Sequence, residues 1–558
     1  MAATDRFDAI VIGSGVSGGW AAKELTEKGL RVLMVDRGRM VEHGEDYPYD
    51  GKPAFEIPAR NRMPAAFVKS DYQGLNFWVQ PANQPFFTND RLNPYDFDAP
   101  NPFRWVRPGV VGGKSLTWGR WSFRWAPSDF EANKREGIGT DWPIRYDDVA
   151  PWYSYVEKYI GVSGGRENLD YLPDSEFMPP FPMNVAETWL KERLETEFPG
   201  RKLINARLSN ITEDKPEQNR SRCQKRAQCD RGCSFGAYFS TQAVTLPAAR
   251  ATGRLTLRSD TWVTNLEYDP ARKRVTGVRL VDANTGRAEV VEARLVFLCA
   301  SAMGSVHVLL NSRPEGSERS YFHSNGALGS AVMDHIFKVN ISGDIPGMTE
   351  FVEYGRRPGG VYVPRFRNLA AEDLPFKRGY GYQGGAGRRQ PVPEGFGESM
   401  KHGMRRYGPW RFNMGAFGEC LPYEDNRVML NFGKTDSRGM PLLRFDVTFR
   451  DNEIRMMDDA QAQGELMLRQ AGLTNVTSSR GTHIPGEAIH EMGGARMGRD
   501  PKTSVLNGWN QAHDAANLFI TDGAQMASVS CVNPSLTFMA MTARATDYAV
   551  KQMKAGTI

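Results

Sequence analysis

The sequence predicts an α/β protein, α+β overall, in which a mainly parallel sheet carries a second domain built on a mainly antiparallel sheet. Three observations predict it. An apolar run at Phe7 to Ile12 leads directly into Gly13-x-Gly15-x-x-Gly18, a helical stripe and a second apolar run. Short strand candidates separated by Gly, Pro and Asp occupy residues 340 to 474. Apolar strand patterns recur at Val290 to Ala300, before that region, and at Leu518 to Thr521, after it, so the first fold is interrupted and resumed.

Taken in order, Phe7 to Ile12 is nearly continuously apolar, as in a parallel strand buried on both faces. Ala21, Ala22 and Leu25 give a helical stripe that stops at Gly29, and Leu30 to Val35 reads as a second buried strand ending at Asp36. Trp142 to Ile160 reads as a surface helix, and 161 to 220 is mixed and Pro-rich. Arg254 to Leu280 alternates in strand fashion, Asn284 to Gly286 is a turn, and Val290 to Ala300 feeds the helix-like Ser301 to Asn311. Gly359 to Pro364 and Asn426 to Phe432 are strand candidates around an aromatic, glycine-rich insert at 379 to 417, and a closing helix is expected near Ser535 to Met553. The 558 residues suit about two to four domains. The expected division is 1–170, the first part of a Rossmann-like nucleotide-binding domain; 171–220, a connecting or substrate-domain segment; 221–339, its second part; 340–474, a substrate domain; and 475–558, a return to the first domain.

Charged residues at 24% and apolar residues at 40% exclude a disordered chain, and no apolar stretch reaches the roughly 18 residues of a membrane span. The net charge of +5 is spread over 70 basic and 65 acidic residues without a basic block, which argues against nucleic acid as a partner. The N-terminus, Met-Ala-Ala-Thr-Asp-Arg before Phe7, reads as lacking an export signal.

A lone Gly-x-Gly-x-x-Gly is weak, but here strand, glycines, helix, second strand and the acid Asp36 follow in order. Gly13, Gly15 and Gly18 allow a tight turn and close approach of backbone N–H groups to a pyrophosphate, and Asp36 accepts from ribose hydroxyls. This predicts a dinucleotide and leaves FAD and NAD open. The next glycine-rich piece is Gly112-Gly113-Lys114-Ser115-Leu116-Thr117-Trp118.

With these pieces the chain resembles the glucose-methanol-choline oxidoreductase family. Gly112, Gly113 and Ser115 resemble the family's flavin-facing loop, Val296 to Asn311 its strand and Leu-rich helix, and the segment from His490 its active-site region. The resemblance spans residues 7 to 550 and implies FAD. It implies that backbone at Val263 meets the adenine, that Asp522 and Gly523 hold the ribityl and pyrophosphate part, and that Ser535 and Thr537 approach the flavin pyrimidine edge. Family members that tether the flavin through histidine carry His before Trp, where this chain has Thr117 before Trp118; the FAD is therefore expected to be non-covalent.

Oxidising a carbinol requires a proton acceptor that is neutral near working pH, and imidazole, with an ordinary pKa of about 6.5, is suitable. His490, in His490-Glu491-Met492-Gly493-Gly494, matches the family position and is the expected base; His483 is a competitor that lacks the motif. Asn533 stands where the family carries a second His or an Asn; its amide donates to the substrate oxygen.

Cys223, Cys229 and Cys233 crowd into one polar loop among Arg222, Lys225, Arg226 and Arg231. Three thiols fit an iron–sulfur cluster of the 3Fe-4S type, with a disulfide plus a free thiol, or zinc, as alternatives. The spacing resembles that of the catalytic subunits of bacterial FAD-dependent glucose and fructose dehydrogenases, and within the family the chain as a whole resembles glucoside 3-dehydrogenase catalytic subunits most, with glucose, gluconate and fructose dehydrogenases next. That implies oxidation of a secondary hydroxyl of a sugar or glycoside, best guess C3 of a glucoside, with a small subunit carrying the export signal, a cytochrome c acceptor and a periplasmic location; a cytoplasmic one is the alternative. Trp78, Gln80, Gln84, Phe86, Phe87 and Phe77 are candidate sugar contacts. An oxidase using O2 is the second reading, and a non-redox member, a lyase or a flavin-binding protein kept for partner contacts, the third.

Overall fold

A computed structural model describes residues 7–64, 76, 78–353, 355–370, 372–389, 395–481 and 484–558. His483 and Phe77 lie outside the described residues. A seven-stranded sheet forms the base, in the order Leu255–Arg258, Val32–Val35, Phe7–Ile12, Ala288–Leu298, Arg274–Asp282, Thr261–Asp269, with Leu518–Ile520 also on Ala288–Leu298. Phe7–Ile12 runs parallel to Ala288–Leu298 with Ala9 opposite Leu295, and Leu518 pairs in parallel with Val296. The long strand Ala288–Leu298 does double duty, since its first half pairs antiparallel with Arg274–Asp282. Alternate residues of the parallel strands enter two different cores. Ile10, Ile12, Leu33, Val296 and Leu298 face one, and Ala9, Val11, Val32, Leu295 and Phe297 face the other. This is why the runs read as uninterrupted apolar sequence.

Helix Val16–Glu27 buries Ala21, Ala22 and Leu25 against this sheet and the final helix. That helix, Ser535–Lys554, has buried residues in every turn, and Tyr146–Ile160 covers it from outside. Asn517 joins the antiparallel strands to the parallel ones. Its Oδ1 accepts from Val275 N at 3.0 Å, and its Nδ2 donates to the carbonyls of Val275 at 2.8 Å and Arg294 at 3.1 Å.

The second sheet has six strands in the order Thr474–Arg480, Ile336–Ile345, Trp410–Gly418, Tyr380–Arg388, Val361–Val363, Ile204–Asn205. All its pairings are antiparallel. It draws Ile204–Asn205 from the connecting segment and otherwise runs from Ile336 to Arg480, so a boundary at 474/475 falls at the start of its edge strand. The glycine-rich insert supplies its central strands. Asn426 to Phe432 is a correction: Arg427–Thr435 pairs with Pro441–Asp446, which pairs with Asp96–Phe97, in a separate small sheet. A second correction concerns 451 to 470, expected to contain only short strands. There a twenty-residue helix, Asp451–Gln470, buries Met456, Met457, Ala460, Gly464, Met467 and Leu468 against the back of the sheet. A Cβ on Gly464 would come within 2.6 Å of Ile341 Cδ1, so the helix seats closely there. No helix among the described residues is long and apolar enough to cross a membrane.

Asn517→Ala leaves buried groups on two chain segments without a partner, each worth about 1–3 kcal/mol. The expected loss is roughly 3 kcal/mol of unfolding free energy, read as an earlier midpoint in urea; an unchanged midpoint would show that this side chain does not join the two halves of the sheet.

Candidate active site

The carboxyl ends of Phe7–Ile12, Ala288–Leu298 and Leu518–Ile520 open onto a cavity. Ligand crevices of open α/β sheets lie at this edge. Gly13, Gly15, Asp36, Gly113, Trp118, Val263, Asp522, Gly523, Ser535 and His490 are on its wall, as are Arg37, Trp262 and Cys299. The other predicted positions stand behind the wall. Gly18 packs the helix: a Cβ there would meet Gly13 O at 1.9 Å. Gly112 donates to Ser14 Oγ at 2.7 Å, and Ser115 Oγ donates to Gly112 O and accepts from Thr241 N. Thr117 is buried and its carbonyl accepts from Trp78 Nε1, while Thr537 Oγ1 bonds Tyr153 OH at 2.7 Å. None of Trp78, Gln80, Gln84, Phe86 and Phe87 lines the cavity; Phe86 is buried beside Tyr47 and Val110.

At one end Gly15 caps helix Val16–Glu27 without a side chain, and nothing lies within 4 Å of where its Cβ would be. Uncapped helix N–H groups beside open space make an anion cradle. Asp36 is fixed at the edge of this region: Oδ2 accepts from Ser14 N at 3.0 Å and Oδ1 from Gly38 N at 2.7 Å. Burial raises its pKa, against the pull of these bonds. Arg37 and Arg438 lie over the Trp262 ring, with the Arg438 guanidinium 3.5 Å from the ring centre.

At the other end stands His490. The segment before it is held by Asp334, whose Oδ2 accepts from Gly486 N at 2.7 Å and Ala488 N at 3.2 Å and whose Oδ1 accepts from His490 N at 3.1 Å. Burial and the Glu491 charge push the Asp334 pKa up to about 7. Ile489 has a φ of +65°, uncommon for a β-branched residue. His490 Nδ1 lies 3.0 Å from His335 Nδ1, and His490 Nε2 lies 3.3 Å from Asn533 Nδ2. Gln383 Nε2 donates to Asn533 Oδ1 at 2.5 Å. Gln383 and Phe417 sit on the sheet face opposite the buried Tyr382 and Ala416, so the second sheet closes over the pair, with the Phe417 ring 5.9 Å from the His490 ring. Lys114 forms an ion pair with Glu491, whose Oε1 is buried and has no partner among the described residues. Burial, His335 and Lys114 hold the His490 pKa well below its ordinary value. An imidazole kept neutral beside a carboxamide can accept a hydroxyl proton.

Asp334, His335, Gln383 and Lys114 were not found by sequence reasoning. Only Lys114, inside the Gly-Gly-x-Ser piece, carried a local signal.

Profiles of the GMC oxidoreductase family match residues 7–336 and 422–542. The chain belongs to the GMC oxidoreductase family. It is thus an FAD-dependent oxidoreductase acting on CH–OH groups. It is 26% identical to 2-methyl-1,2-propanediol dehydrogenase of Mycolicibacterium austroafricanum, over 98% of this chain and 95% of that one. It is 24% identical to the fructose dehydrogenase large subunit of Gluconobacter japonicus, over 98% of each chain. The fold matches pyridoxine 4-oxidase from Mesorbium loti with a TM-score of 0.61 at 15% identity, over 98% of this chain and 99% of that one. The cavity fits the dinucleotide: it has a bare helix terminus, glycines where backbone must come close and a fixed carboxylate at one end.

Cys223, Cys229 and Cys233 are free thiols lining one cleft with Arg226, Phe235 and Tyr238. No disulfide joins them. Burial pushes the Cys223 thiol up to about 11, and also raises Cys229. Among the described residues no group of three His, Cys, Asp or Glu side chains is placed to hold a metal ion, the three cysteines included. Cys299, Cys420 and Cys531 are buried, as their apolar surroundings suggest.

Gly13 has a φ of +94°, and a Cβ there would lie 2.4 Å from Cys299 O. Gly13→Ala is expected to yield protein with a much lower flavin-to-protein absorbance ratio after gel filtration; full flavin content would contradict the proposed pyrophosphate cradle.

Proposed function

We propose that the protein oxidises a secondary hydroxyl of a sugar or glycoside to a ketone, with C3 of a glucoside the first substrate to try. The observation that carries this reading is the contact between His490, on the cavity wall, and Asn533 behind it, covered by the antiparallel sheet. Bound FAD supplies the hydride acceptor, and the chain's own residues do the rest. His490 takes the hydroxyl proton at Nε2 while Asn533 donates from Nδ2 to the substrate oxygen, which fixes the carbinol hydrogen in one direction. Polar groups beside an aromatic ring suit a polyhydroxylated substrate: Gln383 and Phe417 lie next to the pair, and Lys338 pairs with Glu487 at 2.6 Å on the same side. The names of the fructose and propanediol dehydrogenases support an alcohol or sugar donor. Because Thr117 offers no imidazole, the FAD is held without a covalent bond.

His490→Ala should retain flavin and lose about 10²–10⁴ in the rate of flavin reduction by substrate. Because the folded-state pKa of His490 is depressed, the base stays neutral as pH falls below its ordinary value. The acid limb of kcat/KM should therefore lie below pH 6.5. A limb at or above that value, or an active His490→Ala, would move the base elsewhere.

We infer further that Cys223, Cys229 and Cys233 hold an iron–sulfur cluster, of the 3Fe-4S type. A single ion needs sulfurs about 3.8 Å apart, whereas a multi-iron cluster takes each thiolate on a different iron and accommodates a wider set. Arg226 reaches Cys233 Sγ at 4.0 Å and Lys225 N donates to Cys223 Sγ at 3.4 Å, which offsets thiolate charge. Such a cluster supplies one-electron exit to an external acceptor. The remaining partners of this reading are a small subunit with an export signal and a cytochrome c, in the periplasm. The second reading, an oxidase using O2, has a solved fold relative that is named as an oxidase.

Anaerobically purified protein should contain about three iron atoms per chain, turn over with a dye under argon, and in Cys229→Ser lose transfer to cytochrome more than transfer to a small dye. Iron-free protein with undiminished cytochrome reduction would remove the cluster, and activity only with O2 would favour the oxidase.

A further inference from the structure

The hydrogen bonds around His490 have a direction that can be deduced from one end. His335 Nε2 lies 2.5 Å from the carbonyl oxygen of Ser530. A carbonyl only accepts, so this nitrogen carries the proton. His335 is 1% exposed, and burial takes its pKa down to about 4, so the ring is neutral and its Nδ1 has a lone pair. The 3.0 Å contact between the two Nδ1 atoms holds one proton, and it belongs to His490. A neutral His490 protonated on Nδ1 has a bare Nε2. The 3.3 Å contact from Nε2 to Asn533 must then be made by the amide N–H, which leaves Asn533 Oδ1 for the Gln383 N–H at 2.5 Å; a substrate hydroxyl takes the place of that N–H at the Nε2 lone pair, and the amide then donates to the hydroxyl oxygen. Every contact in the chain from Ser530 O to Gln383 agrees with this polarity.

We propose that His335 is a positioning residue that sets the tautomer of His490, so that the base presents a bare Nε2, and through it the orientation of the Asn533 amide, to the substrate hydroxyl. The inference rests on His490 being the base. Which ring nitrogen of a histidine is protonated is set by what the other nitrogen meets. Without an acceptor at Nδ1, the proton can move to Nε2, where it would point at the substrate oxygen and block proton removal. Asn533 would then turn its oxygen to His490, and the donor to the substrate would be lost as well.

The surroundings keep the arrangement from being bypassed. Asp334 is adjacent to His335 in the chain, but its carboxylate is occupied by the backbone of the 486–490 segment. Glu491 is paired with Lys114, and Glu487 with Lys338. No carboxylate bonds the ring of His335 or His490 among the described residues, so the carbonyl of Ser530 is what gives the chain its direction.

The test uses the FAD-loaded protein labelled with 15N-histidine, the ring of His490 being identified by its loss in His490→Asn. The native protein should show an unprotonated Nε2 and a protonated Nδ1 on His490. In His335→Leu the two should exchange, and kcat for flavin reduction should fall about 10²-fold, with KM changed far less. His335→Asn, whose amide oxygen stands near the former Nδ1, should restore the tautomer and most of the rate. A native His490 protonated on Nε2 overturns the proposal by itself, even if His335→Leu does not fold. So does a Leu variant with the native tautomer, or an Asn variant with no better rate than Leu. An active His490→Ala would instead sink the base reading, and the native tautomer measurement keeps the two failures apart.

Discussion

The parallel pairing of Phe7–Ile12 with Ala288–Leu298, and of that strand with Leu518–Ile520, is the constraint on which the rest of the molecule depends. It brings Gly13, Cys299 and Thr521 to one edge, where Cys299 N donates to Ile12 O at 2.8 Å and Ser17 Oγ donates to Thr521 O at 3.1 Å. The cavity begins at that edge, and the final helix, which starts at Ser535 beside Asn533, reaches it only because Leu518–Ile520 is already in the sheet. Partners this far apart in sequence close at a high entropic cost, so the wall of the site is complete only when most of the chain has folded. A second domain can be threaded between such segments because the sheet, rather than chain continuity, places them.

The end of the cavity at His490 is polar, buried and therefore expensive unless each group has a partner. Asp334 shows how the cost is offset: three backbone N–H groups act against the burial that pushes its pKa up to about 7. The same carboxylate keeps Ile489 in its left-handed conformation, worth about 1–3 kcal/mol of strain. The strain and the buried carboxylate belong together, because the segment that presents His490 has no regular secondary structure to hold it.

What could be read in the sequence follows from how local each signal is. Gly13, Gly15, Gly18 and Asp36 lie in one strand-turn-helix-strand unit, and the apolar strands on both sides of the interruption were evident because each is buried on two faces. His490 and Asn533 were found through motifs within single segments. Asp334, His335 and Gln383 act across about 150 residues and belong to strands or their approaches, where nothing in the local pattern distinguishes them. The helix Asp451–Gln470 was missed because its buried face is made mostly of Met, Ala and Gly, with Leu468 its one branched aliphatic residue, within a highly charged stretch. Thr117, Ser115 and Thr537 show the opposite limit: a motif places a segment at the site without saying which of its side chains face the cavity.

The segment carrying Trp118 and the cysteine loop are structurally one unit. Arg120 donates from Nη1 to the carbonyl of Trp118 and, at 2.8 Å, to that of Cys229. Trp118 Nε1 donates to Phe239 O at 2.9 Å, and Tyr238 OH to Leu116 O at 2.6 Å. These bonds run from the cavity wall to both sides of the cleft that the thiols line, and Arg120 and Tyr238 are buried. The three sulfurs are therefore tied to the cavity wall by hydrogen bonds between loops. None of these bonds runs through the antiparallel sheet, so the face that it turns toward the cavity can vary without moving the three sulfurs.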